Sequence, residues 1–167
     1  RSRLFVTLTG ERGVGKTWGS AYAIERYPDQ LGRVLSTTTR ERRDNEDEDS
    51  YHFITQEDFL RKLAAGLFIE HDKYERNRYG IDALDVEHVL GDKKIAVMAL
   101  TPAGVRILRE QYGEISTIIS LYVECPESLH RKNLNKRRDL APPDHERIIA
   151  AKGRMTLTGM PHRVLKL

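Results

Sequence analysis

An α/β fold is what this sequence predicts: a parallel sheet with helices on both faces. Three observations carry that expectation. Leu4-Phe5-Val6-Thr7-Leu8-Thr9 reads as a short buried strand, runs into the glycine-rich stretch Gly10 to Thr17, and is followed by a helical stretch, Trp18 to Tyr27. Lys94 to Leu100 and Thr117 to Val123 are near-continuous apolar runs, the pattern of strands covered on both faces. Strands and helices then alternate along most of the chain, which implies parallel strands joined by right-handed crossovers.

Size and composition bound the rest. The 167 residues suggest one domain with small inserted subdomains, and they suffice for a real core. Charged residues make up 32% of the chain, no apolar run is long enough to span a membrane, and no secretory signal is visible ahead of the first strand. The single cysteine, Cys125, excludes an intramolecular disulfide and reads as a buried thiol in a reducing compartment, so a cytoplasmic location is expected. The six histidines and one cysteine show no metal-ligand spacing. The net charge of +3 hides two local runs: Asp44 to Asp49, with five carboxylates in six positions, and Arg131 to Arg138, with five cations in eight. The acidic run reads as a flexible loop or a partner for the basic one. The basic run could meet phosphate; a nucleic-acid role is the weaker reading.

In order along the chain, Pro28 ends the first helix, inside which Gly19 costs about 1 kcal/mol relative to alanine. Trp18, bulky where the helix must pass close to the sheet, reads as core before ligand contact, with stacking on a base as the alternative. Arg33 to Ser36 is the expected second strand, and Tyr51 to Ile54 a short one. Thr55 reads as an N-cap, with Asp58 supporting the start of a helix that runs through Phe59, Leu60 and Leu63 to Gly66. Phe68 to His71 is strand-like, and Tyr74 to Gly80 a hairpin arm. Asp82 caps a helix ending near Leu90-Gly91. Thr101 and Pro102 start another, with Val105, Ile107 and Leu108 facing the core. Pro126 opens a helix bearing the basic run, Ala141-Pro142-Pro143 breaks it, and Asp144 starts a further helix containing Ile148, Ile149 and Met155. Arg163 to Leu167 is the expected last strand.

Gly10-Glu11-Arg12-Gly13-Val14-Gly15-Lys16-Thr17 matches the phosphate-binding loop, a glycine, four residues, then Gly-Lys-Thr. Glycines let the backbone wrap a phosphate and offer it N–H groups. Lys16 would reach the outer phosphates, and the Thr17 hydroxyl would hold Mg2+. A helix N-terminus directly behind the loop favours anions. All eight residues are therefore expected to bind ATP, within a P-loop NTPase-type parallel sheet.

A second set lies in the middle of the chain: Ser36, Arg40, Arg43, Tyr51, Glu70 and Tyr79. Two guanidinium groups and two phenol hydroxyls can hold a phosphate dianion. A carboxylate accepts two N–H bonds at once, which suits the guanine edge, and a serine hydroxyl could donate to the guanine carbonyl. The set fits a nucleoside monophosphate, and such a site rejects bases that leave its polar groups unpaired.

On these residues the sequence resembles the guanylate kinase family. The blocks that match are Gly10 to Thr17, Leu35 to Arg40 with Arg43, Tyr51-His52-Phe53, Phe68-Ile69-Glu70-His71 and Asn77-Arg78-Tyr79-Gly80, and the resemblance runs from Leu4 to about Met155. It implies one domain, 1–167: a core of 1–35, 82–125 and 156–167, a monophosphate-binding α+β insertion over 36–81, and a helical lid over 126–155. Ser36 and Glu70 would then contact guanine, and Arg40, Arg43, Tyr51 and Tyr79 the acceptor phosphate. Lys16, Arg137 and Arg147 would be catalytic, with Arg138 or Arg154 able to replace either lid arginine. The implied activity is phosphate transfer from ATP to GMP. Two departures stand out. Ile81 replaces a hydroxyl residue that helps bind guanine, and Ala99-Leu100-Thr101 replaces an Asp-Ile-Asp pattern. Two alternatives follow: a kinase of the same fold acting on a phosphorylated sugar, and a non-catalytic guanylate-kinase-like module that binds proteins, a type whose phosphate loop is typically degraded.

Overall fold

The computed structural model describes residues 3–92, 95–137, 140–151 and 156–167. In chain order its elements are β1 (Arg3–Thr9), α1 (Lys16–Arg26), β2 (Leu31–Arg33), β3 (Thr37–Thr38), β4 (His52–Phe53), α2 (Gln56–Ala64), β5 (Phe68–Tyr74), β6 (Asn77–Asp82), α3 (Ala83–Asp92), β7 (Ile95–Ala99), α4 (Pro102–Tyr112), β8 (Ser116–Glu124), α5 (Glu127–Asn135), α6 (Pro142–Ala150) and β9 (Arg163–Lys166). The α/β class expected from sequence is the one observed.

The main sheet runs β2-β7-β1-β8-β9, with every pairing parallel. From β1 the chain crosses over β7 to reach β2, and it later enters β8 on the opposite side. The strand order therefore reverses at β1, where open α/β sheets bind ligands beyond their C-terminal strand ends. β1 alternates with period two. Phe5 joins a cluster with Val86, Met98, Val105 and Leu108, while Val6 and Leu8 join Val14, Val97, Val123 and Cys125 on the other face. Both faces are thus filled, and the phosphate loop leaves the most deeply paired strand.

A second sheet, β4-β3-β6-β5, is built from the middle of the chain. β5 and β6 form an antiparallel hairpin that turns at Glu75 (φ 55°). α2 covers it: Thr55 Oγ1 accepts from Asp58 N (3.1 Å), and Phe59 stacks on Phe68 at 4.4 Å.

Four expectations shift. The second strand is Leu31–Arg33, not Arg33–Ser36, because after Val34 (N to Val97 O, 2.9 Å) the chain changes sheets and the Ser36 carbonyl accepts from His52 N (2.9 Å). The hairpin arm starts at Asn77, three residues later than expected. The prolines do not precede the last helix but occupy its first turn, where a missing N–H costs nothing, and the Asp144 carboxylate accepts from Ala141 N (3.0 Å). Trp18 is not core. α1 turns Ser20 and Ile24 inward, and position 18, two residues from 20, falls on the opposite face and is 63% exposed. Lys94, Arg138, Arg154 and Met155 lie outside the described residues. Among the described residues no helix is long and apolar enough to cross a membrane.

Candidate active site

The phosphate loop is shaped by what surrounds it. A Cβ on Gly10 would stand 2.4 Å from the Val123 carbonyl oxygen, so only glycine lets the loop pass β8. Gly15 sits at φ 103° in the left-handed region and serves as the N-cap of α1, whose first turn holds no acidic side chain to compete with an anion. From behind, α5 braces the loop: His130 Nε2 donates to the Arg12 carbonyl (2.6 Å) and Asn133 Nδ2 to the Gly13 carbonyl (2.9 Å). The Lys16 ammonium donates to the Gly10 and Glu11 carbonyls (2.6 and 2.8 Å). Burial lowers its pKa to about 8, with the Glu11 carboxylate opposing and Arg137 and Arg12 adding to the fall. An anion among these groups would restore the lysine's charge.

Two loop side chains make contacts beyond the loop. The Glu11 carboxylate is buried and accepts from the Tyr122 hydroxyl (3.0 Å), so Glu11 faces the cleft with its backbone. The Arg12 guanidinium lies 4.9 Å from the ring centre of Tyr74, at the tip of the β5–β6 hairpin. That contact ties the loop to the second sheet.

Across the cleft, Arg40 bonds the Glu46 carboxylate (2.8 Å) and packs over the rings of Tyr51 and Phe53, at 5.3 and 5.5 Å. Arg43 offers its backbone N–H to the same carboxylate (3.2 Å), with its guanidinium 4.0 Å away. The Tyr79 ring meets Tyr51 edge-on at 6.3 Å. Burial opposes charge at Glu46, but the Arg40 and Arg43 bonds outweigh it and hold its carboxyl below the usual range. The acidic run therefore contributes a brace to the two arginines, and this pairing was not foreseen. Its signal was present: Glu46 follows Arg40 by six residues and Arg43 by three, hidden among like neighbours.

Glu70 has the opposite surroundings. It is buried on β5, and burial, with Asp72 adding, pushes its carboxyl up to about 7. A Cβ on Gly104 would stand 3.0 Å from Glu70 Oε2, so the first turn of α4 is pared back to admit the carboxylate. Thr101 caps that turn, accepting from Gly104 N (3.1 Å), and Ala99 brings no charge to the cleft wall. Ile81 is 1% exposed and belongs to the apolar core, so this departure exchanges a polar contact for buried surface.

One cleft of about 1470 Å3 is lined by every residue of the two sequence-derived sets: Gly10 to Thr17 on one side, Ser36, Arg40, Arg43, Tyr51, Glu70 and Tyr79 on the other. Arg137 and Arg147 line it too, from the α5–α6 region, where Arg147 also bonds Asp144 (2.7 Å). Arg131 clasps α5 to α6 through Glu127 and Glu146, so part of the basic run is spent on structure. Among the described residues no group of three or more His, Cys, Asp or Glu could hold a metal ion.

The guanylate kinase family model matches residues 2–156. A guanylate kinase of Leifsonia xyli subsp. xyli is 30% identical over 167 residues, covering 99% of this chain and 65% of its own length. The guanylate kinase of Sus scrofa is 29% identical over 163 residues, covering 93% of this chain and 79% of its own. MAGUK p55 subfamily member 2 of Rattus norvegicus is 31% identical over 135 residues, 80% of this chain but 24% of that protein. The chain thus spans under two thirds of some of its relatives. The crystal structure of guanylate kinase from Anaplasma phagocytophilum superposes with a TM-score of 0.62 at 19% identity, covering 99% of this chain and 76% of that one, which shows the same fold.

Proposed function

The chain belongs to the guanylate kinase family, and on that premise we propose that it transfers the outer phosphate of ATP to a nucleoside monophosphate, with GMP as acceptor. The observation that carries the reading is the single cleft with a complete phosphate loop on one wall and the Ser36/Arg40/Arg43/Tyr51/Glu70/Tyr79 set on the other. The complete loop also disfavours the protein-binding module. The domain division proposed is core 1–35, 82–125 and 156–167, insertion 36–81 and lid 126–155, in a cytoplasmic protein.

In this reading the backbone of Gly10 to Gly15 holds the donor phosphates and Lys16 neutralises the outer ones. Arg40 and Arg43 orient the acceptor phosphate, with the Tyr51 and Tyr79 hydroxyls completing its shell. Glu70 and Ser36 fix guanine. The acceptor phosphate is largely dianionic at pH 7, because its second pKa is about 6. It therefore needs no general base, and the uncharged wall at Ala99 and Thr101 does not stop the reaction. Arg137 and Arg147 add positive charge as the phosphoryl group passes.

The donor set fits Mg2+ only as a nucleotide complex: Thr17 offers one hydroxyl, and such an ion takes its other ligands from phosphate and water. When bound, Mg2+ neutralises phosphate charge. ADP release from ATP and GMP tests the proposal. Lys16→Met is expected to lower kcat about a hundredfold or more, by the scale for losing one transition-state donor. Failure of GMP to bind or to accelerate ATP turnover sinks the reading.

A further inference from the structure

We infer that Trp18 is a stacking platform for the base of the donor nucleotide, so that the donor site prefers purines over pyrimidines by ring area rather than by reading base edges. The inference rests on the proposed binding of a triphosphate in the phosphate loop, and it assigns a role that the loop motif does not contain.

The geometry is specific. Trp18 directly follows Lys16 and Thr17, lines the same cleft, and keeps 63% of its surface open. Its indole is already ordered, stacked on Tyr22 one helical turn on at 5.4 Å and 16°, while the Arg26 guanidinium sits 5.7 Å from the Tyr22 ring centre. Positions 18, 22 and 26 form a column of flat groups along the outer face of α1. One face of the indole is covered by Tyr22. An aromatic ring held this way stacks a base without first losing rotamer freedom.

The direction of the donor points the same way. In the proposed reaction its outer phosphate faces Arg40 and Arg43, which leaves its nucleoside on the side of the loop away from the second sheet, and Trp18 lines the cleft beside the loop. Asn133, which also lines the cleft, uses its Nδ2 on the Gly13 carbonyl (2.9 Å). Trp18 offers this end of the cleft a stacking face.

Trp18 is the only tryptophan, so its fluorescence reports the site directly. The experiment titrates the chain with Mg-ATP and with Mg-tripolyphosphate, following fluorescence and calorimetry, and repeats both on Trp18→Ala and Trp18→Phe. ATP is expected to quench the native protein saturably and more than tripolyphosphate does. Trp18→Ala should weaken ATP about tenfold and tripolyphosphate less than about twofold, and Trp18→Phe should recover most of the loss. The preference of the native chain for ATP and GTP over CTP and UTP should collapse in Trp18→Ala. Equal weakening of ATP and tripolyphosphate, or weakening of neither, overturns the inference while leaving the loop intact. If neither ligand binds the native chain, the phosphotransfer reading fails first and takes this one with it. Retained tripolyphosphate binding shows that the alanine variant is folded.

Discussion

Glu46 and Glu70 stand on the two halves of the wall proposed to bind the acceptor, one half for its phosphate and one for its base, and their surroundings are opposite. Glu46 is held below the usual carboxylate range by two arginines; Glu70 is pushed up to about 7 by burial and by Asp72. The phosphate half is preassembled, its cations spaced by an internal anion. The base half is a desolvated acceptor that gains by ligand N–H donors. Keeping Glu70 ionised above its shifted pKa costs on the order of 3 kcal/mol, at 1.36 kcal/mol per pKa unit between 4.5 and about 7. A guanine edge donating two hydrogen bonds offsets that cost; a base without those donors does not. On the proposed reading, affinity comes from the phosphate half and discrimination from the base half.

The largest expected effect breaks the base half. Glu70→Gln should lower kcat/KM for GMP about a hundredfold or more, since a buried acceptor is replaced by a group that meets donors with a donor. AMP turnover should change little, and ATP binding not at all. An equal loss for GMP and AMP, in an acceptor panel read by ADP release, would mean that Glu70 reads no base. Next, Glu46→Gln should lower kcat/KM about tenfold for every monophosphate alike, because it loosens Arg40 and Arg43 without touching the base, at the scale of a lost charge-assisted bond. A loss confined to GMP would erase the distinction between the halves.

How much of this was legible follows from the same contrast. The sequence brought the loop and the six residues proposed for the acceptor into two sets, and both line one cleft, because phosphate and base chemistry restrict the residue types that serve them. The parallel sheet was readable because strands covered on both faces cannot alternate. Glu46 was not, since a run of five carboxylates looks alike in sequence and only folding selects the one that meets the arginines. Gly104 was not, since its role is to make room for a side chain on another element. The shift of β2 to Leu31–Arg33 was hidden because Arg33 to Ser36 spans the exit from one sheet and the entry to the next. The core reading of Trp18 rested on bulk where the helix starts near the sheet, and bulk does not say which helix face turns inward; Ser20 and Ile24 do, and they leave position 18 outside.

A smaller perturbation acts through space alone. Gly104→Ala places a methyl group 3.0 Å from Glu70 Oε2 and should raise KM for GMP several-fold, about three- to tenfold, with kcat nearly unchanged. An unchanged KM would show that Glu70 can yield without cost, and that the base half is less rigid than its packing implies.

The smallest expected effect is a displacement of a pH limb. The free protein's kcat/KM for GMP should rise as pH passes about 7, because the ionised Glu70 is the form that accepts guanine donors. With ATP as the varied substrate, kcat/KM should fall as pH passes about 8, where Lys16 of the empty loop loses its proton. Asp72 adds to the raised pKa of Glu70, so Asp72→Asn should move the acid limb to lower pH, and the ionisation of GMP itself cannot imitate that shift. Stability carries the same signature with opposite signs in the two halves. Glu70 has a raised folded pKa, so its favourable contribution is full below 4.5 and is lost as pH rises through about 7; Glu70→Gln should therefore gain in Tm on native protein as pH goes from 5 to 8. Glu46 has a lowered folded pKa, so its contribution is present above 4.5 and fades as pH falls through its depressed value; Glu46→Gln should lose most in neutral buffer. Parallel Tm curves for the two variants would leave the acceptor wall with one kind of carboxylate instead of two.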